Sequence, residues 1–358
     1  MITEAYCAVS PAIQTFATHL FNFSYTWLTA LYFFIGMFGN VSLLIAFHKQ
    51  SKEDGAYIYQ VYLTISKTLE IVATSAFNIF HNTCSGGDVD GLEWFMRSYL
   101  GMFLSAHILC PLSNWFMVSS LFCSVAMTAD RVFAITKPFV YKNIKHHRHQ
   151  ILAGILCFLL SFLINLYDCW HWYVGVPEDP LGVNSTYHVV ANDEYLSSTL
   201  GMGLSHVRTS MRLTAVVALV VLNVTMAVAF RQRSHKVAQL IQVDVQSTDA
   251  KKEEQRRKAE QNLLILTIYQ SLLTLISNVP HSIHFIAIFT WLDYTRCYIA
   301  IFGPIVDDLI MIADAADFFV IISVNKRMRK MVLEIFPGHC GLDSTTRVQS
   351  VTGRSQNN

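Results

Sequence analysis

Apolar side chains gather along the chain in seven long blocks, each near the ~20 residues that a helix needs to cross a bilayer. They span 25–47, 57–80, 100–135, 150–168, 209–230, 262–290 and 298–323. The third, sixth and seventh blocks contain Asn, Ser, Asp or His, so those helices are expected to turn a polar face inward. Between the blocks, 51–55 reads as a short polar turn. Segment 168–207 reads as a long outer loop with Pro177 and Pro180. Segment 243–261 is rich in Ala, Glu, Lys, Arg and Gln and should extend the sixth helix into the cytosol. There is no internal repeat and no inverted hydropathy symmetry, which weighs against a secondary transporter.

Composition agrees with this pattern. Of 358 residues, 53% are hydrophobic and 14% charged, where a soluble domain carries about 25% charged. Mean hydropathy is +0.38 and the net charge +1. A strongly basic nucleic-acid binder and a highly charged disordered chain are both excluded. The fold class expected is all-α: a bundle of seven transmembrane helices, with the lipid bilayer as its surroundings.

Charge then orients the bundle. With the N-terminus outside, all Lys and Arg fall in cytosolic segments except Lys67, Arg97, Arg208, Arg212 and Arg296. The first 48 residues contain neither. Such a bias places the C-terminus inside. The sequons at Asn22 and Asn184 fall outside and are candidate N-glycosylation sites, whereas those at Asn40 and Asn223 lie within spans. No basic segment precedes a short apolar run, so the first span is expected to act as the signal anchor. The division expected is an extracellular 1–24, a membrane bundle 25–323, and an amphipathic helix with a cytoplasmic tail over 324–358.

The most specific stretch is Asp130-Arg131-Val132-Phe133-Ala134-Ile135-Thr136-Lys137-Pro138 at the cytosolic end of the third span. It resembles the D-R-Y-x-A-I/V-x-x-P signature of rhodopsin-like G-protein-coupled receptors, with Val132 in place of Tyr. The resemblance implies coupling to a heterotrimeric G protein, with arrestin as a further partner. Asp130 and Arg131 are then the coupling motif, and Glu260 is the acid that Arg131 would reach on the sixth helix. Pro280 in Ser277-Asn278-Val279-Pro280 resembles the family's sixth-span proline, which removes one backbone hydrogen bond and permits a bend. The bland reading of Glu260 is a solvated charge in a charged run.

Further residues carry the resemblance along most of the chain. Gly39-Asn40-Val41 matches the first-span motif. Cys110-Pro111-Leu112-Ser113-Asn114 and Asn278-Val279-Pro280 resemble segments of invertebrate FMRFamide-type neuropeptide receptors. Segment 324–336 looks like the family's short cytosolic helix, with a membrane-surface pattern. Cys340 beyond it is a candidate for palmitoylation or a plain free thiol. Departures are also clear. The seventh-span N-P-x-x-Y is replaced by Asp317-Phe318-Phe319-Val320-Ile321, Asn278 stands where a Trp is common, and the fifth span lacks its proline.

The second span departs most. Leu63-Thr64-Ile65-Ser66-Lys67 puts a lysine where the family has an acid that helps bind an interior sodium ion. An ammonium near mid-membrane costs ~3 kcal/mol or more and needs a partner. Asp314 and Asp317 share one face of the seventh helix, at a depth that agrees with Lys67 within ~6 Å at 1.5 Å per residue. Lys67 is expected to replace the ion, held by Asp314 or Asp317. The rival readings pair it with Glu70 or let it snorkel to the cytosol. Asn40, Lys67, Ser120, Asp314 and Asp317 together form the expected intramembrane polar switch.

Polar groups in the outer halves of the third, sixth and seventh spans mark a candidate ligand pocket: Ser113, Asn114, Trp115, Asn278, His281, His284, Asp307 and Asp308. Amine receptors carry an Asp where this chain has Ser113, which argues against a biogenic amine. Asp307 and Asp308 either meet a cationic group of a ligand or pair between helices. The two histidines lack the neighbours of a metal motif, and no metal or cofactor is expected. Of the eight cysteines, Cys7, Cys84, Cys110, Cys169 and Cys297 lie on the outer side. By the resemblance Cys110–Cys169 is the expected disulfide, with Cys84–Cys169 as the alternative. Cys123 and Cys157 read as apolar filling.

The function expected is a plasma-membrane receptor that binds an extracellular ligand, a neuropeptide by the resemblance, and activates G proteins. A chemosensory receptor for a small molecule is the alternative. A transporter, and a receptor that binds without signalling, stand further off. No H-E-x-x-H motif occurs, so a membrane metal hydrolase, and enzyme activity generally, are not expected.

Overall fold

The computed structural model describes residues 15–16, 19–20, 23–53, 55–83, 98–144, 147–175, 188–192, 194–195, 198–241, 248–290 and 296–335. Eight helices organise them: α1 (Thr29–Glu53), α2 (Ile58–Thr83), α3 (Cys110–Thr136), α4 (His147–Asn165), α5 (Thr199–Ile241), α6 (Thr248–Thr290), α7 (Arg296–Val324) and α8 (Lys326–Ile335). A π-turn, Phe23–Leu28, precedes α1. An α-turn, Tyr99–Leu104, and a second π-turn, Ser105–Leu109, lead into α3, with Pro111 in its first turn. Short helices at Pro138–Ile144 and Asp168–His171 cap the ends of α3 and α4.

Central in the bundle, α3 packs on α2, α4, α5 and α6, while α7 closes the ring against α1 and α6. Among the described residues, five helical runs are both long and apolar enough to cross a membrane: Phe23–Lys52, Tyr99–Thr136, Arg148–His171, Thr199–Gln232 and Gln261–His284. The second and seventh predicted spans, α2 and α7, are long enough but carry Lys67 and Glu70, and Asp307, Asp308, Asp314 and Asp317. Those two helices turn most of that charge toward each other, so it never faces lipid.

Burial is inverted relative to a soluble domain. Trp27, Phe34, Leu163, Val217, Val221 and Val224 point outward, while Asn40, Gln60, Lys67, Glu70, Ser124, Thr267 and Gln270 are buried. With no water at that depth, interior hydroxyls bond to their own helices: Ser42 to Phe38 O, Thr68 to Thr64 O, Thr128 to Ser124 O and Thr267 to Leu263 O. Three apolar clusters fill the rest. Leu43, Phe47, Leu266, Phe318 and Ile321 join α1, α6 and α7; Leu63, Cys123 and Met127 join α2 and α3; Leu121, Val216 and Leu219 join α3 and α5.

Two predicted boundaries move. The outer loop expected over 168–207 contains an antiparallel hairpin, β1 (Trp172–Gly175) with β2 (His188–Ala191), and the first turns of α5, which begins ten residues before its apolar block. The helix expected on the cytosolic membrane surface is partly buried in the bundle. Met328 and Val332 of α8 are buried against Leu43, Phe47 and Tyr57, leaving Leu333 exposed. Asn325 starts α8 by accepting from the backbone N–H of Arg327 and Met328, at 3.1 and 3.2 Å.

Candidate functional site

Helical spacing puts Lys67 and Glu70 on one face of α2, and Asp314 and Asp317 on one face of α7. The bundle brings the two faces together. Lys67 Nζ lies 2.6 Å from Asp317 Oδ2 and 3.1 Å from Asp314 Oδ1, with all three side chains buried. Lys67 therefore reaches across to α7 rather than along α2 to Glu70 or down to the cytosol. Asn40 and Ser120, grouped with them in the sequence reading, are buried as well. Ser120 donates to Met117 O at 2.8 Å, and Asn40 Nδ2 has no hydrogen-bond partner among the described residues.

At the C-terminal end of α3, Arg131 Nη2 meets Asp130 Oδ2 at 2.8 Å, and Tyr141 donates to the same carboxylate at 3.0 Å. Arg131 is only 8% exposed, so the α3 terminus presents a compact, neutralised patch. The backbone of Glu260 lies in α6, but its side chain falls outside the described residues. So do Asn22, Asn184 and Cys340, and the side chains of Cys7, Cys84 and Cys297. Pro280 stands inside α6, where Ser277, Asn278 and Ser282 return hydrogen bonds to the helix backbone around it.

The eight residues grouped as a ligand pocket divide among several contacts. Trp115 donates to Phe158 O at 2.9 Å and packs on Phe162, so it belongs to the α3–α4 contact. Ser113 bonds to Thr74 of α2 at 2.6 Å. Asp307 accepts from Tyr25 at 2.8 Å, fastening α7 to the π-turn before α1. His284 lies beside Gly303 of α7. Asn114 donates weakly to Cys110 Sγ at 3.8 Å. Asn278 and His281 share the neighbour Arg212, and His281 also faces His284. Asn114 reaches Asp168, which lies beside Arg208 and Arg212.

The expected disulfide is not formed: Cys110 and Cys169 are both free thiols. His107, one turn nearer the outside than Cys110, is the residue that meets Cys169, with Nδ1 2.8 Å from its carbonyl oxygen. Cys110 sits too deep on α3 to do so, buried under Asn114 and Trp172.

In its place, an ion pair ties the outer ends of α4 and α5. Arg208 Nη1 donates to Asp168 Oδ1 and to Tyr167 Oη, each at 2.8 Å, and its guanidinium lies over the Tyr167 ring. One turn deeper, Arg212 donates to Asn278 Oδ1 at 3.5 Å and faces Met117 Sδ at 3.4 Å. The sequence reading used Arg208 and Arg212 only for topology. Their four-residue spacing at the outer end of an apolar block was the available sign that both share an inward face.

Three polar layers thus run through the bundle: Arg208 with Asp168 near one end, Lys67 with Asp314 and Asp317 in the middle, and Arg131 with Asp130 at the C-terminal end of α3. Comparison with known proteins identifies the family. A Caenorhabditis elegans protein named "Probable G-protein coupled receptor B0563.6" is 20% identical over 317 residues, covering 88% of this chain and 70% of that protein. Residues 79–337, from the end of α2 past the end of α8, match the family described as serpentine type 7TM GPCR chemoreceptor Srv. The chain belongs to this Srv family of seven-transmembrane chemoreceptors.

Proposed function

We propose that the chain is a chemosensory receptor of the plasma membrane that binds a small extracellular molecule and activates a heterotrimeric G protein. The observation that carries this reading is the family match over 79–337, which includes the Asp130–Arg131 pair at the mouth of α3. In the proposed topology, 1–24 is extracellular, 25–323 is the bundle and 324–358 is cytosolic. A rhodopsin-like switch then follows from position. Arg131 is held by Asp130 at rest, and a bend of α6 at Pro280 frees the cleft between α3 and α6 for the G protein. Arrestin would dock at the same face. The peptide reading rests on the resemblance of 110–114 and 278–280 to peptide receptors, with Asp307 and Asp308 as groups that either meet a cationic ligand or pair between helices. Asp307 is engaged by Tyr25, which favours the small-molecule reading.

The test is a second-messenger assay in cells expressing the chain with a promiscuous G protein, screened with parallel panels of small molecules and amidated peptides. A dose-dependent response to a small molecule, abolished in Arg131→Ala at equal surface expression, is the expected outcome. A response confined to peptides would overturn the ligand class, and a response that survives Arg131→Ala would overturn the switch.

A further inference from the structure

The middle polar layer does not balance its charge. Lys67 directs its ammonium to Asp317 and Asp314. Glu70, one turn away on α2, lies within hydrogen-bonding reach of Asp314 instead. Three oxygens of this group are buried without a hydrogen-bond donor: Glu70 Oε2, Asp314 Oδ2 and Asp317 Oδ1. Two carboxylates side by side offer each other only acceptors, and a buried carboxylate without a donor or counter-charge is strongly disfavoured.

Among the described residues, the surrounding helices supply too little positive charge. From α1 comes Asn40 and from α3 Ser120, both neutral. From α5, Arg212 acts on Glu70. From α6, Gln270 lies beside Asp317, while His281 faces Arg212. With the imidazole neutral, Lys67 and Arg212 set two cations against three carboxylates. A metal ion is a poor remedy, because the Lys67 ammonium already stands against both aspartates and would repel it at contact distance.

We propose that the Lys67–Glu70–Asp314–Asp317 cluster binds one proton, carried on Glu70 and donated to Asp314. The proton supplies the missing donor between the two carboxyls and the missing positive charge in one step. Its release to water leaves two adjacent carboxylates that repel across the α2–α7 contact. The protonated cluster is therefore the tightly packed state of the bundle, and proton release is linked to separation of α2 from α7.

Infrared spectroscopy of the purified full chain in lipid nanodiscs at neutral pH tests this directly, with no need for a ligand or a signal. The difference spectrum between wild type and Glu70→Gln should contain the carbonyl stretch of a protonated carboxyl group. Asp314→Asn should shift that band, because the acceptor of its hydrogen bond changes. A difference spectrum without the band, or a band left unshifted by Asp314→Asn, overturns the proposal. So does a rise in the thermal midpoint of the wild type when sodium replaces choline at constant ionic strength, if Glu70→Gln removes it. That pattern would mean that a metal ion fills the site.

Discussion

An ammonium in the middle of a bilayer costs ~3 kcal/mol or more, and Lys67 offsets that cost with two aspartates from a helix nearly 250 positions away. The pair is buried, so removing one partner leaves the other charge stranded. Lys67→Ala should destabilise the bundle by about 3–5 kcal/mol, as breaking buried pairs does. Asp317→Ala should cost clearly less in a Lys67→Ala background than alone, a coupling of about 0.5–3 kcal/mol. Thermal midpoints of the four purified proteins in nanodiscs give the cycle, and strict additivity would sink the pairing as an energetic unit. The pair was legible in the sequence because depth along a helix can be counted, and the count put Lys67 level with Asp314 and Asp317. The outer Arg208–Asp168 pair was not. Nothing in the apolar pattern says which way a residue at a span boundary points, and Asp168 stood at such a boundary. The partners of the candidate ligand residues were hidden for a related reason. Ser113, Trp115 and Asp307 are polar residues at the right height, but each faces a different neighbouring helix.

At the scale of helices, close approach depends on a few positions without side chains. A Cβ at Gly39 of α1 would stand 2.6 Å from Phe318 Cβ of α7. That atom is fixed to the α7 backbone and cannot swing away. Gly39→Ala should therefore push α1 off α7 and cost about 1–3 kcal/mol, as overpacking does. Gly203, on α5, has nothing within 4 Å of such an atom. Gly203→Ala should be neutral or raise stability by up to about 1 kcal/mol through helix propensity. Thermal midpoints of the two variants, measured together, check the contrast, and equal effects would refute it. Helix existence was readable from the apolar blocks, since each meets the length of a bilayer. Helix ends were not. Thr199–His206 of α5 is polar-dotted, and its helicity rests on continuity with the block that follows. The docking of α8 was also hidden: Met328 and Val332 form an apolar stripe that would suit either lipid or protein.

For the molecule as a whole, the scarcity of charge matters less than its sorting. Along the sequence most lysines and arginines gather in the segments expected on one side of the membrane, and among the described residues Lys67, Arg131 and Arg208 are each paired with an aspartate. The proposed orientation rests on the first point: loops rich in Lys and Arg stay in the cytosol during insertion. The β1–β2 hairpin should then face the outside, and the C-terminal half of α5 the inside. Tyr173 on β1 and Gln232 on α5 are both exposed, so each can carry a reporter thiol. On intact cells, a membrane-impermeant maleimide should label Tyr173→Cys above the wild-type background and leave Gln232→Cys at background. After permeabilisation, Gln232→Cys should label as well. The reverse pattern would invert the topology. It would place the Asp130–Arg131 mouth on the outside, where no G protein could reach it, and the orientation and the coupling role would fall together.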